Sequence, residues 1–304
     1  MQVVKQNTLK KEYSFEGKGL HSGRYAHLTV CPAPADTGIR FHRVDLGPEA
    51  FVDAVAGNVS RTARSTTISK GGVSVATIEH ILSALTGMGV DNALIKIDSG
   101  EVPILDGSAR FYVEAMAGDG VVAQDAERRY LELKEEIMVR DEKSGSYVRI
   151  VPADGPEYEV TIDFNSKVLG IQTVKWDSSI DYSSEIAPCR TFCFFREIFR
   201  LALFGLVKGG SVENAIVIVD KPVSRFKMRV MAGLFRQPLL SVTPEGYLSN
   251  LVLRFPDECG RHKMLDLMGD IRLAGGFVKA KVIAYKPGHR INVLAADMIR
   301  EKTI

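Results

Sequence analysis

Short runs of apolar residues, separated by Gly- and Pro-containing turns, dominate the first half of the chain. Residues 26–31, 38–42 and 93–98 each have the length and composition of one strand. Residues 78–86 instead show apolar side chains at the i, i+3, i+4 and i+7 positions of one helix face. A second helix is predicted over 109–117, ending before a glycine.

The second half shows the same mixture. The runs at 158–164, 214–220 and 275–285 predict strands, and "RHKMLDLMGD" at 261–270 predicts a helix. Neither half shows the regular βαβ alternation of a parallel sheet, and no residue-level repeat links the two. The pattern therefore predicts an α+β protein with two layers of similar build.

The most charged stretch between two regular regions is "AQDAERRYLELKEE", at 123–136. We take it as the joint between two domains, because 304 residues are many for a single core. The predicted domains are residues 1–127 and 128–304.

Composition excludes several classes of protein. Hydrophobic residues at 45% and charged residues at 25% are ordinary for a globular chain, and a net charge of +2 argues against nucleic-acid binding. The N-terminus has no signal-peptide core, and no window reaches the roughly 20 apolar residues of a membrane span. The four cysteines lack metal-ligand spacing, so we expect free buried thiols in a cytoplasmic protein.

The helix at 261–270 carries His262, Asp266 and Asp270 at intervals of four, which places them on one face. For an isolated amphipathic helix, a solvated polar face is the ordinary interpretation. A His and an Asp one turn apart are also what a divalent metal needs from a rigid scaffold. Both interpretations stay open on this helix alone.

The first helix carries Glu79 and His80 at its start, and His80 points away from the apolar stripe. A solvent-exposed histidine is the ordinary alternative. Combined with His262 and Asp266, however, His80 completes a set of three protein ligands. Such a set leaves the fourth tetrahedral position for water, as in catalytic zinc sites.

Two loop residues are further candidates. His289 follows a strand on a Pro-Gly turn, where it is either a local turn histidine or an acid facing the metal, with Asp270 raising its pKa. Thr191, in "APCRTF", is a turn or capping residue unless its loop faces the site.

The run "FCFFREIFRLALFGLV" at 192–207 holds five of the chain's 14 phenylalanines. As a helix it is apolar nearly all round, which is typical of hydrophobic core. The alternative is a groove for an alkyl chain.

Taken together, these motifs resemble the UDP-3-O-acyl-N-acetylglucosamine deacetylases, the zinc amidases of bacterial lipid A synthesis. They run in family order and cover nearly the whole chain. The matching motifs are "GKGLHSG" (17–23), "TIEHILSALTGMGVDNA" (77–93), "EVPILDGSA" (101–109), "APCRTF" (187–192), "GGSVENAIV" (209–217), "LRFPDECGRHKMLDLMGDI" (253–271) and "YKPGHRIN" (285–292).

The resemblance implies two similar α+β domains, each a small mixed sheet with packed helices. It implies that the active site lies between these domains and that a βαβ insert in the second domain lines an acyl passage. It also implies a role for each matched position. These roles are Zn²⁺ ligation by His80, His262 and Asp266, general base for Glu79, general acid or electrostatic partner for His289, a supporting carboxylate for Asp270, oxyanion stabilisation by Thr191, and sugar-nucleotide contact by Phe192 and Lys263.

The chain departs from the family in the segment "ARSTTIS", where members often have a cysteine and Thr66 and Thr67 stand here. That leaves the catalytic roles intact and argues against a thiol near the metal. Some members also carry a fused acyl-carrier-protein dehydratase domain.

The expected partner is an acylated UDP-sugar substrate. We expect no nucleic acid, no membrane span, transient contact with a membrane surface, and a monomer. One rival is a zinc amidase acting on another acylated amine. The other is a non-catalytic metal- or nucleotide-binding protein, which has no use for an acid or base beside three ligands.

Overall fold

The computed structural model describes residues 4–118, 120–203, 209–210, 214–235 and 238–303. Its strands are β1 Lys5–Leu9, β2 Tyr13–Lys18, β3 Tyr25–Pro32, β4 Ile39–Arg43, β5 Phe51–Asp53, β6 Val59–Arg61, β7 Thr67–Lys70, β8 Val73–Ala76, β9 Ala93–Ile97, β10 Val121–Glu127, β11 Tyr130–Glu132, β12 Ile137–Asp141, β13 Ser146–Pro152, β14 Glu157–Asp163, β15 Ile171–Asp177, β16 Phe192–Phe194, β17 Ile216–Ile218 and β18 Phe277–Tyr285. Its α-helices are α1 Glu79–Gly87, α2 Arg110–Ala117, α3 Tyr182–Glu185, α4 Phe195–Leu203, α5 Arg225–Phe235, α6 Glu258–Ile271 and α7 His289–Thr303, and short 3-10 helices span Val44–Leu46, Ala56–Asn58 and Arg272–Ala274.

The α+β class is confirmed, and two sheets share one topology. The first has the order β2-β3-β9-β4-β5, in which the hairpins β2–β3 and β4–β5 are joined by β9. β9 runs antiparallel to β3 and parallel to β4. The second has the order β12-β13-β18-β14-β15, with β18 antiparallel to β13 and parallel to β14.

The helices repeat as well. In each half two hairpins are followed by a helix, the central strand and a second helix, namely α1, β9, α2 and then α6, β18, α7. The central strands alternate buried and less buried side chains, so each sheet has one face against the core. The two halves are therefore similar in topology although they share no residue-level repeat.

Each half also carries an insert at the same place, between its second hairpin and the following helix. In the first half the insert is the antiparallel sheet β6-β7-β8. In the second half it contains β16, α4 and β17, and β16 pairs parallel with β17. This is the βαβ insert that the resemblance implies.

The Phe-rich run is not one helix. Residues 192–194 form β16, residues 195–203 form α4, and 204–207 lie outside the described residues. A short continuous run of apolar residues fits either a strand that is buried on both faces or a buried helix. Periodicity alone therefore does not distinguish the strand from the helix.

The charged stretch at 123–136 includes two strands. β10 pairs antiparallel with β1, and β11 pairs parallel with β18. The charged side chains of β10, Asp125 and Glu127, are exposed to solvent, so a regular strand accommodates their charges. The domain division at residue 127 stays a prediction.

Helices α1 and α6 pack directly on each other across the two halves. Gly269 permits this approach, because a Cβ built there would lie 2.0 Å from the carbonyl oxygen of Glu79. In the part of the chain that the structure describes, no helix is long and apolar enough to cross a membrane.

Candidate active site

The packing of α1 on α6 brings together three possible metal ligands from distant parts of the sequence. His80, on α1, and His262 and Asp266, on α6, are all buried, and their ligand atoms lie within 4.8 Å of one another. The Asp266 Oδ1 atom is 3.4 Å from His262 Nε2 and 3.7 Å from His80 Nε2. The two rings meet edge to face, with centroids 5.1 Å apart.

The hydrogen bonds around this cluster fit a cation. Asp266 Oδ1 is buried and accepts no hydrogen bond among the described residues, whereas Oδ2 accepts one from Lys263 Nζ at 2.7 Å. The His262 Nδ1 atom lies 3.1 Å from the carbonyl oxygen of Cys189, so Nδ1–H donates and the Nε2 lone pair remains for a metal. A buried carboxylate oxygen without a hydrogen bond, between two imidazole nitrogens, is the arrangement expected of a candidate cation site.

The charges of the ligands suit the same interpretation. Burial, together with the neighbouring His262 imidazole, lowers the pKa of His80 to about 3 and keeps this imidazole neutral. Burial tends to raise the pKa of Asp266, but His262 and Lys263 outweigh it and hold the pKa below its usual range. Neutral imidazole and ionised carboxylate are the forms that bind divalent metals.

Glu79 stands beside the ligands at the first position of α1. Its side chain is 2% exposed, and its Oε2 accepts a hydrogen bond from the backbone N–H of Thr66 at 3.0 Å. Burial raises the pKa of Glu79 to about 7, with the charges of Asp266 and Asp270 acting in the same direction. A carboxylate with a pKa near the working pH is suited to take and return a proton.

His289, at the start of α7, is held by Asp270. Its Nδ1 lies 2.9 Å from Asp270 Oδ2, which also accepts from Asn292 Nδ2 at 2.9 Å. Thr66 Oγ1 donates to the other oxygen, Oδ1, at 2.6 Å. Burial lowers the pKa of His289, but Asp270 and Glu79 outweigh it and raise this pKa to about 9.

A cavity of about 250 Å³ opens onto these groups. Thr191, Phe192 and Lys263 line it together with Glu79, the three metal-ligand candidates and His289. The loop carrying Thr191 is fixed by its N–H, which donates to the Gly107 carbonyl at 2.7 Å, and by its carbonyl, which accepts from Ile216 N–H at 2.8 Å. Thr191 therefore faces the site and is not only a turn residue.

The structure thus brings all nine sequence-predicted site residues into one region, eight of them around the cavity and Asp270 behind His289. Two of the ordinary alternatives are wrong. His80 is 5% exposed and not on the surface, because its face of α1 packs against α6. The polar stripe of α6 is buried and not solvated, since Asp266 and Asp270 are 3% and 0% exposed.

Three functional neighbours were missed from the sequence. Thr66 contacts both Glu79 and Asp270. The sequence alone marks it only as a departure from the family. Asn292 supports Asp270, and its position three residues after His289, on the same helix face, was the available signal. Glu101 is the third.

Glu101 ties the loop before β3 to the start of α1. Its carboxylate accepts from the N–H groups of His21 and Ser22, at 2.9 and 2.7 Å, and from Thr77 Oγ1 at 3.0 Å. Thr77 has φ of 60°, which is strained for a β-branched residue and is therefore held by its surroundings. The hydrogen bond from Thr77 to Glu101 therefore positions the chain two residues before Glu79.

All four cysteines are free, as expected. Cys31, Cys189 and Cys259 are buried, whereas Cys193 is half-buried and lines the cavity. The site therefore has a thiol on its wall, although not in the segment where family members often have one.

Comparison with known proteins covers almost the whole chain. The family model described as UDP-3-O-acyl N-acetylglycosamine deacetylase matches residues 6–236 and 227–301. The UDP-3-O-acyl-N-acetylglucosamine deacetylases of Saccharophagus degradans and Cellvibrio japonicus are 40% and 39% identical, over 95% and 99% of this chain and 88% and 91% of their own lengths. The bifunctional enzyme LpxC/FabZ of Porphyromonas gingivalis is 41% identical over 99% of this chain, which spans 65% of that protein's length.

These matches cover nearly the whole chain, including the buried His/Asp cluster. The chain belongs to the UDP-3-O-acyl N-acetylglycosamine deacetylase family.

Proposed function

We propose that this chain is a zinc-dependent hydrolase that removes the N-acetyl group of UDP-3-O-acyl-N-acetylglucosamine. The products are acetate and UDP-3-O-acyl-glucosamine, and the reaction is the committed step of lipid A biosynthesis. Family membership and the names of the relatives support the substrate. The observation that carries the chemistry is the buried Oδ1 of Asp266, which accepts no hydrogen bond from any described residue and lies beside two imidazoles and a buried carboxyl group.

His80, His262 and Asp266 are the residues that would hold Zn²⁺. When bound, zinc lowers the pKa of a water molecule to about 7 and polarises the amide carbonyl. Lys263 pairs with the Asp266 oxygen that faces away from the imidazoles, and this pairing orients the carboxylate.

Glu79 is the general base in this proposal. It is ionised enough near neutral pH to take a proton from the attacking water, and its contact with the N–H of Thr66 fixes its direction. Thr191 lies on the cavity wall, where its hydroxyl can donate to the developing oxyanion.

The leaving amine requires a proton. His289 is protonated at neutral pH because Asp270 and Glu79 raise its pKa, which makes it an acid or a positive charge facing the oxyanion. Glu79, once protonated, is the other donor. Asp270 acts through His289, whose ring it orients and whose charge it stabilises.

The remaining wall suits the rest of the substrate. Phe192 and Lys263 offer an aromatic face and a cation to the sugar nucleotide, and Lys263 Nζ lies 5.6 Å from the Phe192 ring centre. Cys193, Ile198 and Ala215, from the βαβ insert, supply apolar wall for the 3-O-acyl chain. Four free thiols support a cytoplasmic location for this enzyme.

The test pairs metal analysis with an assay of acetate release from the acylated sugar nucleotide. We expect about one tightly bound zinc per chain, loss of turnover on chelation and recovery when zinc is restored. His262→Ala should remove tight zinc binding, and its control is His42→Ala, since His42 lies on β4 and stacks on Phe51 outside the cluster.

Three outcomes would contradict the proposal. Full zinc occupancy in the His262→Ala protein would show that His262 is not a zinc ligand and would rule out the proposed metal site. Faster acetate release from a different acylated amine than from the sugar nucleotide would favour the rival amidase, and absence of any release would favour a non-catalytic binding protein.

A further inference from the structure

Positive charge is concentrated in one part of the chain. Residues 192–236, from β16 to just beyond α5, hold eight of the 39 Lys and Arg but only three of the 37 Asp and Glu. This segment therefore has a net charge of +5, and the remainder of the chain has a net charge of −3. A local excess of this size attracts an anionic partner, which the overall charge of +2 conceals.

Helix α5 has apolar residues on two opposite faces. Met228 and Met231 pack on an apolar cluster formed by Phe195, Val217, Val219 and Leu248. Phe226, Val230 and Leu234 follow one another at intervals of four and, at about 100° per residue, form a stripe on the other side. Phe226 is 73% exposed and Leu234 is 48% exposed, so this stripe lies on the surface.

Cations flank the stripe. On the helical projection Lys227 lies on one side of it and Arg229 on the other, and both are exposed. Helix α5 contains no acidic residue. An apolar stripe bordered by Lys and Arg is the pattern of helices that lie in the interface of an anionic membrane.

The position of α5 relates this pattern to the site. Cys193 and Ile198 line the active-site cavity and also pack on the same cluster that Met228 and Met231 join. Helix α5 therefore lies about one layer of side chains beyond the apolar wall of the cavity.

We propose that α5 docks this chain on the surface of an anionic lipid bilayer. Phe226 and Leu234 enter the headgroup region, and Lys227 and Arg229 contact lipid phosphates. The role of this docking rests on the proposed function. An acylated substrate partitions into such a surface, and the surface would present the substrate's acyl chain to the wall formed by Cys193 and Ile198. Vesicle binding itself can be tested whether or not the proposed function is correct.

A bilayer suits the stripe better than a protein does. A stable protein interface buries roughly 800 Å² on each partner, which exceeds what three side chains of one helix supply. A bilayer needs only shallow insertion of a few apolar groups, and its phosphates can meet cations on both sides of the stripe.

The test is co-sedimentation of the full chain with phosphatidylcholine vesicles that contain or lack phosphatidylglycerol. We expect binding only when phosphatidylglycerol is present, and weaker binding as salt is added. Each cation removed should weaken binding about five-fold, so Lys227→Gln with Arg229→Gln should weaken it about 25-fold. Phe226→Ser with Leu234→Ser should also weaken it, at unchanged charge.

The matched control is Lys134→Gln with Lys143→Gln, which removes the same charge from exposed positions after β11 and in the β12–β13 turn. It should bind as the unmodified chain does. The inference is overturned if the chain does not bind anionic vesicles, which would leave an acidic protein as the candidate partner. It is also overturned if neutral vesicles bind equally well, or if the control weakens binding as much as the α5 variant.

Melting temperature and acetate release from a short-acyl, water-soluble substrate are measured on every variant. Both should stay unchanged, since none of the described cavity-lining residues belongs to α5. Release without vesicle binding would refute docking alone, whereas vesicle binding without release would refute the proposed function alone.

Discussion

Replacing Gly269 by Ala is expected to push α6 away from α1 and to distort the metal site between them. The added Cβ would lie 2.0 Å from the carbonyl oxygen of Glu79 and 2.8 Å from its carbonyl carbon. Ordinary van der Waals contact begins at 3.4 Å. The obstacle is backbone, so no side chain can rotate away and the helices must separate by about 1 Å or more.

That separation divides the site. Glu79 and His80 move with α1, whereas His262 and Asp266 move with α6. Metal–ligand distances tolerate only about 0.2 Å, and a misplacement of about 1 Å costs on the order of 10² in rate. We therefore expect zinc affinity to fall at least about ten-fold, turnover to fall about 10²-fold, and overpacking to cost about 1–3 kcal/mol of stability.

Zinc affinity is measured by chelator competition, turnover by acetate release and stability by thermal unfolding. The matched control is Gly233→Ala, the same change within α5, where an added Cβ meets no atom of the described residues within 4 Å. The control protein should be more stable than the unmodified chain by up to about 1 kcal/mol, and its zinc affinity should be unchanged. A Gly269→Ala protein with the zinc affinity of the unmodified chain would show that the helix spacing does not set the site.

The remaining predictions concern single groups. Glu79→Gln should lower turnover by roughly 10²–10⁴ while zinc is retained, and a rate within a factor of about three of the unmodified chain would show that another group activates the water. Turnover should fall as the pH rises through about 9, where His289 loses its proton. Asp270→Asn should move this fall to lower pH, because it removes the negative charge that raises the pKa of His289. A pH–rate profile whose alkaline limb lies at the same pH in this variant would contradict the prediction. Shortening the 3-O-acyl chain by two methylenes should cost about 1.6 kcal/mol, somewhat more than ten-fold in kcat/KM, and a flat response across a substrate series would leave the insert wall as structure alone. Glu258→Gln leaves Arg190 buried without its carboxylate partner, so thermal or denaturant unfolding should show a loss of about 3–5 kcal/mol, and a loss below about 1 kcal/mol would mean that solvent reaches the pair.

Periodicity predicted helices α1 and α6, which carry Glu79 and the three metal-ligand candidates, and several strands of both sheets, but it did not predict α7, which begins at His289. The strands at 26–31, 93–98 and 158–164 and the helix at 261–270 are present, because each has one apolar face and a clear turn at its end. The 214–220 run is a strand only over Ile216–Ile218. Short apolar runs predict that a strand is present better than they predict where it begins and ends.

What the sequence could not supply is contact between distant segments. The helical projection correctly turned His80 away from its own apolar stripe, but exposure follows only if nothing packs there, and α6 does. The same holds for Thr66, whose contacts with Glu79 and Asp270 bridge 13 and 204 positions. The resemblance supplied the site residues where local periodicity left them open.

The order of strands in the second sheet has a consequence for how the protein is made. Its two hairpins, β12–β13 and β14–β15, do not pair with each other and are joined only by β18. Because β18 begins at Phe277 and β15 ends at Asp177, about 100 residues are synthesised between them, which takes on the order of 5–20 s at typical ribosomal rates.

During that interval β13 and β14 each present an unpaired edge, a template for pairing with another chain. The nascent protein therefore has a period of exposure to aggregation that ends when the last central strand inserts. A ribosome-stalled chain ending before residue 277 should need a chaperone to stay dispersed, and one that extends past the ribosome exit with β18 and α7 complete should not.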